Sequence, residues 1–114
     1  MRFHFDCVFY YVSDMERAIS FYSGVLGLHL VSRDVVARFD LDGVLFEVVP
    51  APAEVRLPGG GNGRLCLKVD DIAQAMGELK SRGIATSAVQ DKQEGMLASF
   101  QDPDGNEICV WQYR

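Results

Sequence analysis

No apolar run in this chain approaches the roughly 20 residues that a membrane-spanning helix requires. Basic residues are also few. Eleven Lys and Arg stand against 16 Asp and Glu, for a formal net charge of −5 and a pI near 4.8. A nucleic-acid binder needs a basic surface to neutralise phosphates, so that class is excluded. Histidine is limited to His4 and His29. Cysteine is sparse and dispersed: Cys7, Cys66 and Cys109 include no Cys-x-x-Cys pair. With no secretory leader legible at its start, the chain reads as a reduced, cytoplasmic protein. What is present is ordinary for a globular unit with a core of its own: 114 residues, 48% hydrophobic and 24% charged.

The most informative feature is a repeat. "YVSDMERAISFY" from Tyr11 and "KVDDIAQAMGEL" from Lys68 align at an offset of 57 residues, the separation of Asp14 and Asp71. Val12 then matches Val69, Met15 matches Ile72, Ala18 matches Ala75 and Ile19 matches Met76. Each copy reads as a strand, a helix and further strands. In the first copy, Phe5 to Val12 predicts a strand. Ser13 or Asp14 caps a helix whose buried stripe is Met15, Ile19, Tyr22 and Leu26, with Gly24 and Gly27 as its stops. Strands follow over Leu28 to Ser32, Val36 to Leu41 and Val44 to Val49. In the second copy the strand is Leu65 to Val69 and the cap is Asp70 or Asp71. The stripe is Ile72, Met76 and Leu79, and the stop is Gly83. Strands follow over Thr86 to Val89, Met96 to Gln101 and Glu107 to Gln112.

Between the copies, Pro50 to Gly63 reads as a flexible linker. Its glycines lack the Lys-Ser/Thr and the helix start of a phosphate-cradling loop. Near the end, "DPDGN" is hairpin chemistry. Pro103 suits the first central position of a type I turn and Gly105 the left-handed residue after it, which pins the register of the last strand.

The segments "VSDMERAISFYSGVLGL" and "SFQDPDGNEICVW", with "VDDI" between them, cover nearly the whole chain. In this order they resemble the vicinal oxygen chelate superfamily: glyoxalases, extradiol dioxygenases and bleomycin-resistance proteins. The resemblance implies an α+β fold, two βαβββ repeats forming a curled mixed β-sheet cup. Repeat 1 would span about residues 1–50, the linker about 51–63 and repeat 2 about 64–114, together one domain. It also implies four cup positions that hold a divalent metal in many relatives. The first, five residues before Val12, is Cys7; its repeat partner, five before Val69, is Arg64. Glu47 in "VLFEVV" and Cys109 after "DPDGN" take the other two. The family's metal enzymes carry histidine or glutamate at these places, so this chain departs at three of four.

Arg64 offers only donors and stays protonated, so it cannot be a ligand. Cys7, Glu47 and Cys109 offer two thiolates and a carboxylate, a zinc-like set. Thiolates, however, favour soft ions over the hard ions of an oxygen chelate. The reading adopted from these residue types is a degenerate site without a metal or other cofactor. Its cysteines serve as small hydrophobes and Arg64 forms an ion pair with Glu47. His4 shares a strand face with Asp6 and Val8 rather than Cys7, and His29 follows the first helix, so neither is expected to be a ligand.

Alternation places Phe5, Cys7, Phe9, Tyr11, Leu45, Glu47, Val49, Arg64, Cys66, Lys68, Glu107, Cys109 and Trp111 on the cup side. Val8, Tyr10, Val12, Phe46, Val48, Leu65, Leu67, Val69, Ile108 and Val110 lie under the helices. Ligand-binding residues are therefore expected to be Cys7, Phe9, Glu47, Arg64, Cys66, Cys109 and Trp111, around an apolar, aromatic pocket for a small molecule. Two classes stay open. One is a metal-free binding protein like the drug-sequestering branch. The other is a lyase (lactoylglutathione-lyase-like), isomerase or dioxygenase, either metal-dependent or using Glu47 as general base with Arg64 holding an enolate or carboxylate. Relatives commonly pair across chains, so a homodimer is expected.

Overall fold

The computed structural model describes residues 1–2, 4–57 and 64–114. The chain divides into two compact units, Met1–Gly59 and Gly60–Arg114. The first holds β1 (Val8–Val12), α1 (Met15–Ile19), a π-helical continuation (Ser20–Val25), β2 (His29–Arg33), β3 (Ala37–Leu41) and β4 (Val44–Pro50). The second holds β5 (Leu65–Lys68), α2 (Ile72–Ser81), β6 (Gln90–Lys92), β7 (Gly95–Gln101) and β8 (Glu107–Tyr113). The sheet orders are β1-β4-β3-β2 and β5-β8-β7-β6. In each, the first strand of the repeat pairs parallel with the last one and the remaining pairs are antiparallel. The repeat written in the sequence is thus a repeat of topology.

The helices begin alike. Asp14 and Asp71 have extended backbones, and each side chain accepts the amide three residues on, from Arg17 and Gln74, at 3.0 Å. That satisfies one of the orphan donors of a helix start. In α2 the Ile72 amide also donates to Gln112 Oε1 at 2.8 Å, which ties the helix start to the end of β8. The helix ends differ. After α2, Gly83 and Ile84 donate back to Lys80 and Leu79 as a Schellman motif. After α1 the helix widens, and the Leu26 amide reaches the Phe21 carbonyl five residues back.

Several expectations are corrected. The β1 ladder starts at Val8 opposite Phe46, so Phe5 and Cys7 precede it; residues 4–6 are exposed. Gly24 lies inside the π-helical stretch, and Gly27 ends it. Ala18, Phe21 and Tyr22 are fully buried, whereas Met15, Ile19 and Leu26 are half-buried. In the second unit Ile72 and Met76 are buried and Leu79 half-buried. Thr86 makes only an isolated bridge to Phe100, and the strand lies at Gln90–Lys92 instead of Thr86–Val89. Ser87 explains the shift: its hydroxyl, rather than a carbonyl, accepts the Ser99 amide at 2.9 Å, a side-chain bond that replaces a ladder bond. The glycine-rich part of the expected linker lies outside the described residues. Pro50 already belongs to β4, and Pro52 to Val55 forms a turn.

The hairpins follow their turn chemistry. Asp42 and Gly43 both have positive φ, 54° and 87°, the signature of a two-residue type I′ turn, which sets Leu41 opposite Val44. In "DPDGN", Asp102 organises the loop. Its Oδ1 accepts the amides of Asp104 and Asn106 at 2.9 and 2.8 Å, and its Oδ2 accepts Asn106 Nδ2 at 2.8 Å. The result is Gln101 opposite Glu107.

Each core lies between helix and sheet, on the strand faces that alternation assigned to it: Phe46 and Val48 in the first unit, Leu65, Ile108 and Val110 in the second. The first core is aromatic. Tyr22 packs against Phe46 and Phe39 with ring centroids 5.0 and 6.0 Å apart. The second is largely aliphatic, built on Ile72, Met76, Ala98, Ile108 and Val110.

Candidate functional site

On the opposite face of the first sheet, Glu47 is the centre. Its Oε2 accepts from Arg38 Nε at 3.2 Å, and the Cys7 thiol donates to its Oε1 at 3.7 Å. Arg38 Nη1 also donates to Asp34 Oδ2 at 3.0 Å and to Ser32 Oγ at 3.4 Å. Both carboxylate oxygens of Glu47 are therefore engaged, and its side chain is 17% exposed. The carboxylate that the residue types paired with Arg64 is held by Arg38, its direct cross-strand neighbour on β3. Burial and the negative charges of Glu47 and Asp6 push the Cys7 thiol up from its ordinary value, so it stays a neutral donor at pH 7. Phe9, the β1 partner of Glu47, is 46% exposed and meets Tyr11 edge-on at 5.2 Å.

The second sheet carries a pocket of about 140 Å³ lined by Arg64, Ser87, Gln90, Leu97, Ala98, Ser99, Glu107 and Cys109. Arg64 and Cys109, two of the residues expected to bind a ligand, thus share one concavity. Cys66 stands beside Cys109 as its β5 partner, and Ser99 flanks Cys109 on β7. Burial, and then the neighbouring Cys109, raise the Cys66 thiol above the ordinary value. The lining is more polar than expected, and neither Phe9 nor Trp111 contributes to it.

Trp111 is half-buried and meets Tyr113 edge-on at 5.7 Å. Its indole lies over Gly95, where an added Cβ would fall 2.6 Å from Trp111 Cζ2 and closer still to the Gln112 carbonyl. Gly95 is therefore the residue that leaves room for the indole at this place on the sheet. Sequence reasoning missed Gly95, Arg38, Gln90, Ser87 and Ser99. Arg38 had a legible signal: an Asp-Gly hairpin at 42–43 puts it opposite Glu47.

Residues 4–110 match the Glyoxalase/Bleomycin resistance protein/Dioxygenase superfamily. The chain belongs to that superfamily. Solved structures agree in fold. The antibiotic-binding protein TnmS3 of Streptomyces sp. CB03234 is 25% identical over 100% of both chains, with a TM-score of 0.77. The lactoylglutathione lyase of Agrobacterium tumefaciens is 20% identical over 96% of this chain and 92% of its own, with a TM-score of 0.78. The fosfomycin resistance protein FosX of Mesorhizobium loti is 16% identical over 100% and 95%, with a TM-score of 0.77. No curated protein matches the sequence. No helix is long and apolar enough to cross a membrane.

Many members of the superfamily work through a bound divalent metal, and the residues here do not fit one. Arg64 is a permanent cation at one ligand place. Glu47 is already an acceptor for Arg38 and Cys7. Among the described residues no three His, Cys, Asp or Glu side chains converge as a ligand set.

Proposed function

We propose that this superfamily member is a small-molecule binding protein that works without a divalent metal, its candidate ligand-binding residues being Arg64, Cys66, Cys109 and Trp111 in the second unit and Cys7, Phe9 and Glu47 in the first. The observation that carries the reading is the commitment of Glu47 to Arg38 and Cys7, in a chain whose corresponding second-repeat positions are Arg64 and Cys109. The full-length likeness to an antibiotic-binding protein supports the same class. Arg64, Gln90, Ser87 and Ser99 supply polar contacts in the pocket, and Trp111, on the strand that carries Cys109, supplies an aromatic face for a planar ligand. The protein acts as a cytoplasmic homodimer on this reading.

The test has two arms. Elemental analysis of the purified protein is expected to find no stoichiometric nickel, zinc, manganese or iron, and chelators to leave its Tm unchanged. About one such metal per chain, lost in Cys7→Ala, would overturn the reading. Titration with planar aromatic antibiotics is expected to quench Trp111, the single tryptophan, with Trp111→Ala weakening binding more than folding.

A specific observation keeps a second reading: Glu47 is fixed at Oε2 by Arg38, as a positioned carboxylate base would be. In that case the protein is an isomerase or lyase with Glu47 as base. Turnover of an α-hydroxycarbonyl compound, abolished in Glu47→Gln, would decide for it.

A further inference from the structure

Cys66 and Cys109 are register partners on the adjacent parallel strands β5 and β8. Partners across a ladder share a face, and their side chains stand roughly parallel. Adjacent strands lie about 4.7–4.9 Å apart, the spacing from which two in-register side chains on one face start. This is poor geometry for a disulfide, which needs Cβ atoms ~3.8 Å apart and sulfurs ~2.05 Å apart; both thiols are free. It is good geometry for an ion held between them, since two metal–thiolate bonds of ~2.3 Å end to end span about the same distance. Cys66 is exposed and Cys109 lines the pocket, so an ion has a route to both.

The number of ligands selects the ion. No third His, Cys, Asp or Glu joins these two thiols in a ligand group among the described residues. A tetrahedral zinc site therefore lacks half of its ligands. A soft, monovalent, d10 ion of the copper(I) type accepts two thiolates in a line and needs no more. Charge agrees. The step is Cu⁺ + 2 RSH → [Cu(SR)2]⁻ + 2 H⁺, and the product is an anion. Arg64, which repels a divalent cation, lies in the same pocket and complements that anion. Lys68 follows Cys66 on the same strand face.

We propose that Cys66 and Cys109 form a two-coordinate site for a soft monovalent metal ion, which shares only Cys109 with the four positions Cys7, Glu47, Arg64 and Cys109. The site does not depend on the organic ligand proposed above, although an ion there would occupy the Cys109 side of the same pocket.

The test uses the reduced full chain under anaerobic conditions. Silver(I) is titrated in chloride-free buffer, and copper(I) is partitioned against a chromophoric chelator. One ion per chain is expected, with affinity rising with pH because two protons leave. Cys66→Ser and Cys109→Ser should each weaken binding by at least the ~100-fold that losing an outer-shell partner can cost, and Cys7→Ser should leave it unchanged. Cys66 is exposed, so its serine variant is expected to fold and carries the test if Cys109→Ser does not. Unchanged affinity in Cys66→Ser, or equal loss in Cys7→Ser, would overturn the site. X-ray absorption on the copper(I) form should show two sulfur neighbours; three or more would also overturn it.

Discussion

The same row of three side chains crosses both sheets, and the two rows share almost no chemistry. In the first unit it is Phe9, Glu47 and Arg38; in the second it is Cys66, Cys109 and Ser99. The strands run in the same order and directions, and both rows occupy the face away from the helix. One row is charged and closed on itself by an ion pair. The other is neutral, sulfur-bearing and open to a pocket. The comparison teaches that the duplicated backbone accepts quite different side chains on this face, while the apolar core is kept on the other. There the pattern is strict: Phe46 and Val48, like Ile108 and Val110, are buried to within a few per cent.

The deepest contrast to break is between the two cores. Tyr22→Ala removes a fully buried ring from an aromatic cluster and is expected to cost about 3–5 kcal/mol, against about 2–5 kcal/mol for Met76→Ala in the aliphatic core. Urea unfolding of both variants checks the order. A larger loss in Met76→Ala would mean that the aromatic cluster is not the stronger of the two.

Next is the indole that only the second unit carries. Gly95→Ala pushes a methyl into Trp111 and the Gln112 carbonyl. It is expected to cost about 1–3 kcal/mol by overpacking and to change Trp111 fluorescence. An unchanged emission spectrum would show that the indole does not rest on Gly95.

Arg38→Ser gives the first row a serine where the second has Ser99. It leaves the half-buried Glu47 without its guanidinium. The expected loss is about 1–2 kcal/mol, above that of an exposed pair such as Arg82–Glu78. Thermal melts of Arg38→Ser and Arg82→Ser test the ranking.

The smallest effects are in titration. The Val36 amide, then the Arg38 side chain, hold the Asp34 carboxyl below its ordinary value. A depressed folded pKa means that the Asp34 contribution is present above the ordinary carboxylate range and fades as pH falls through the folded value. NMR titration should show Asp34 moving up in Arg38→Ser yet staying below the ordinary value, since the amide bond remains. In the second unit, alkylation of Cys66 should demand a higher pH than an ordinary thiol. Cys109→Ser should ease this only in part, because burial is the larger cause. Full normalisation would reverse that ranking.

Much of this was open to a reader of the sequence alone. Asp14 and Asp71 announce their helices, since a carboxylate before an apolar stripe can satisfy the third amide of the helix whatever lies around it. Asp42–Gly43 and "DPDGN" determine the antiparallel registers, because a tight turn leaves one way to pair the residues beside it. Those registers already imply Arg38 opposite Glu47 and Ser99 opposite Cys109. Alternation then assigns each residue its face.

Other features needed the folded chain. The parallel pairs β1–β4 and β5–β8 join strands separated by a helix and two further strands, so no local turn dictates their register. Only that pairing brings Cys66 beside Cys109 and limits the β1 ladder to Val8–Val12. The π-helical widening after Ile19 and the indole over Gly95 are likewise decided by packing among residues distant in sequence. Local chemistry sets caps, turns and faces because its partners lie within a few residues. The meeting of the thiols is set by long-range pairing, which only the buried faces of the two sheets determine.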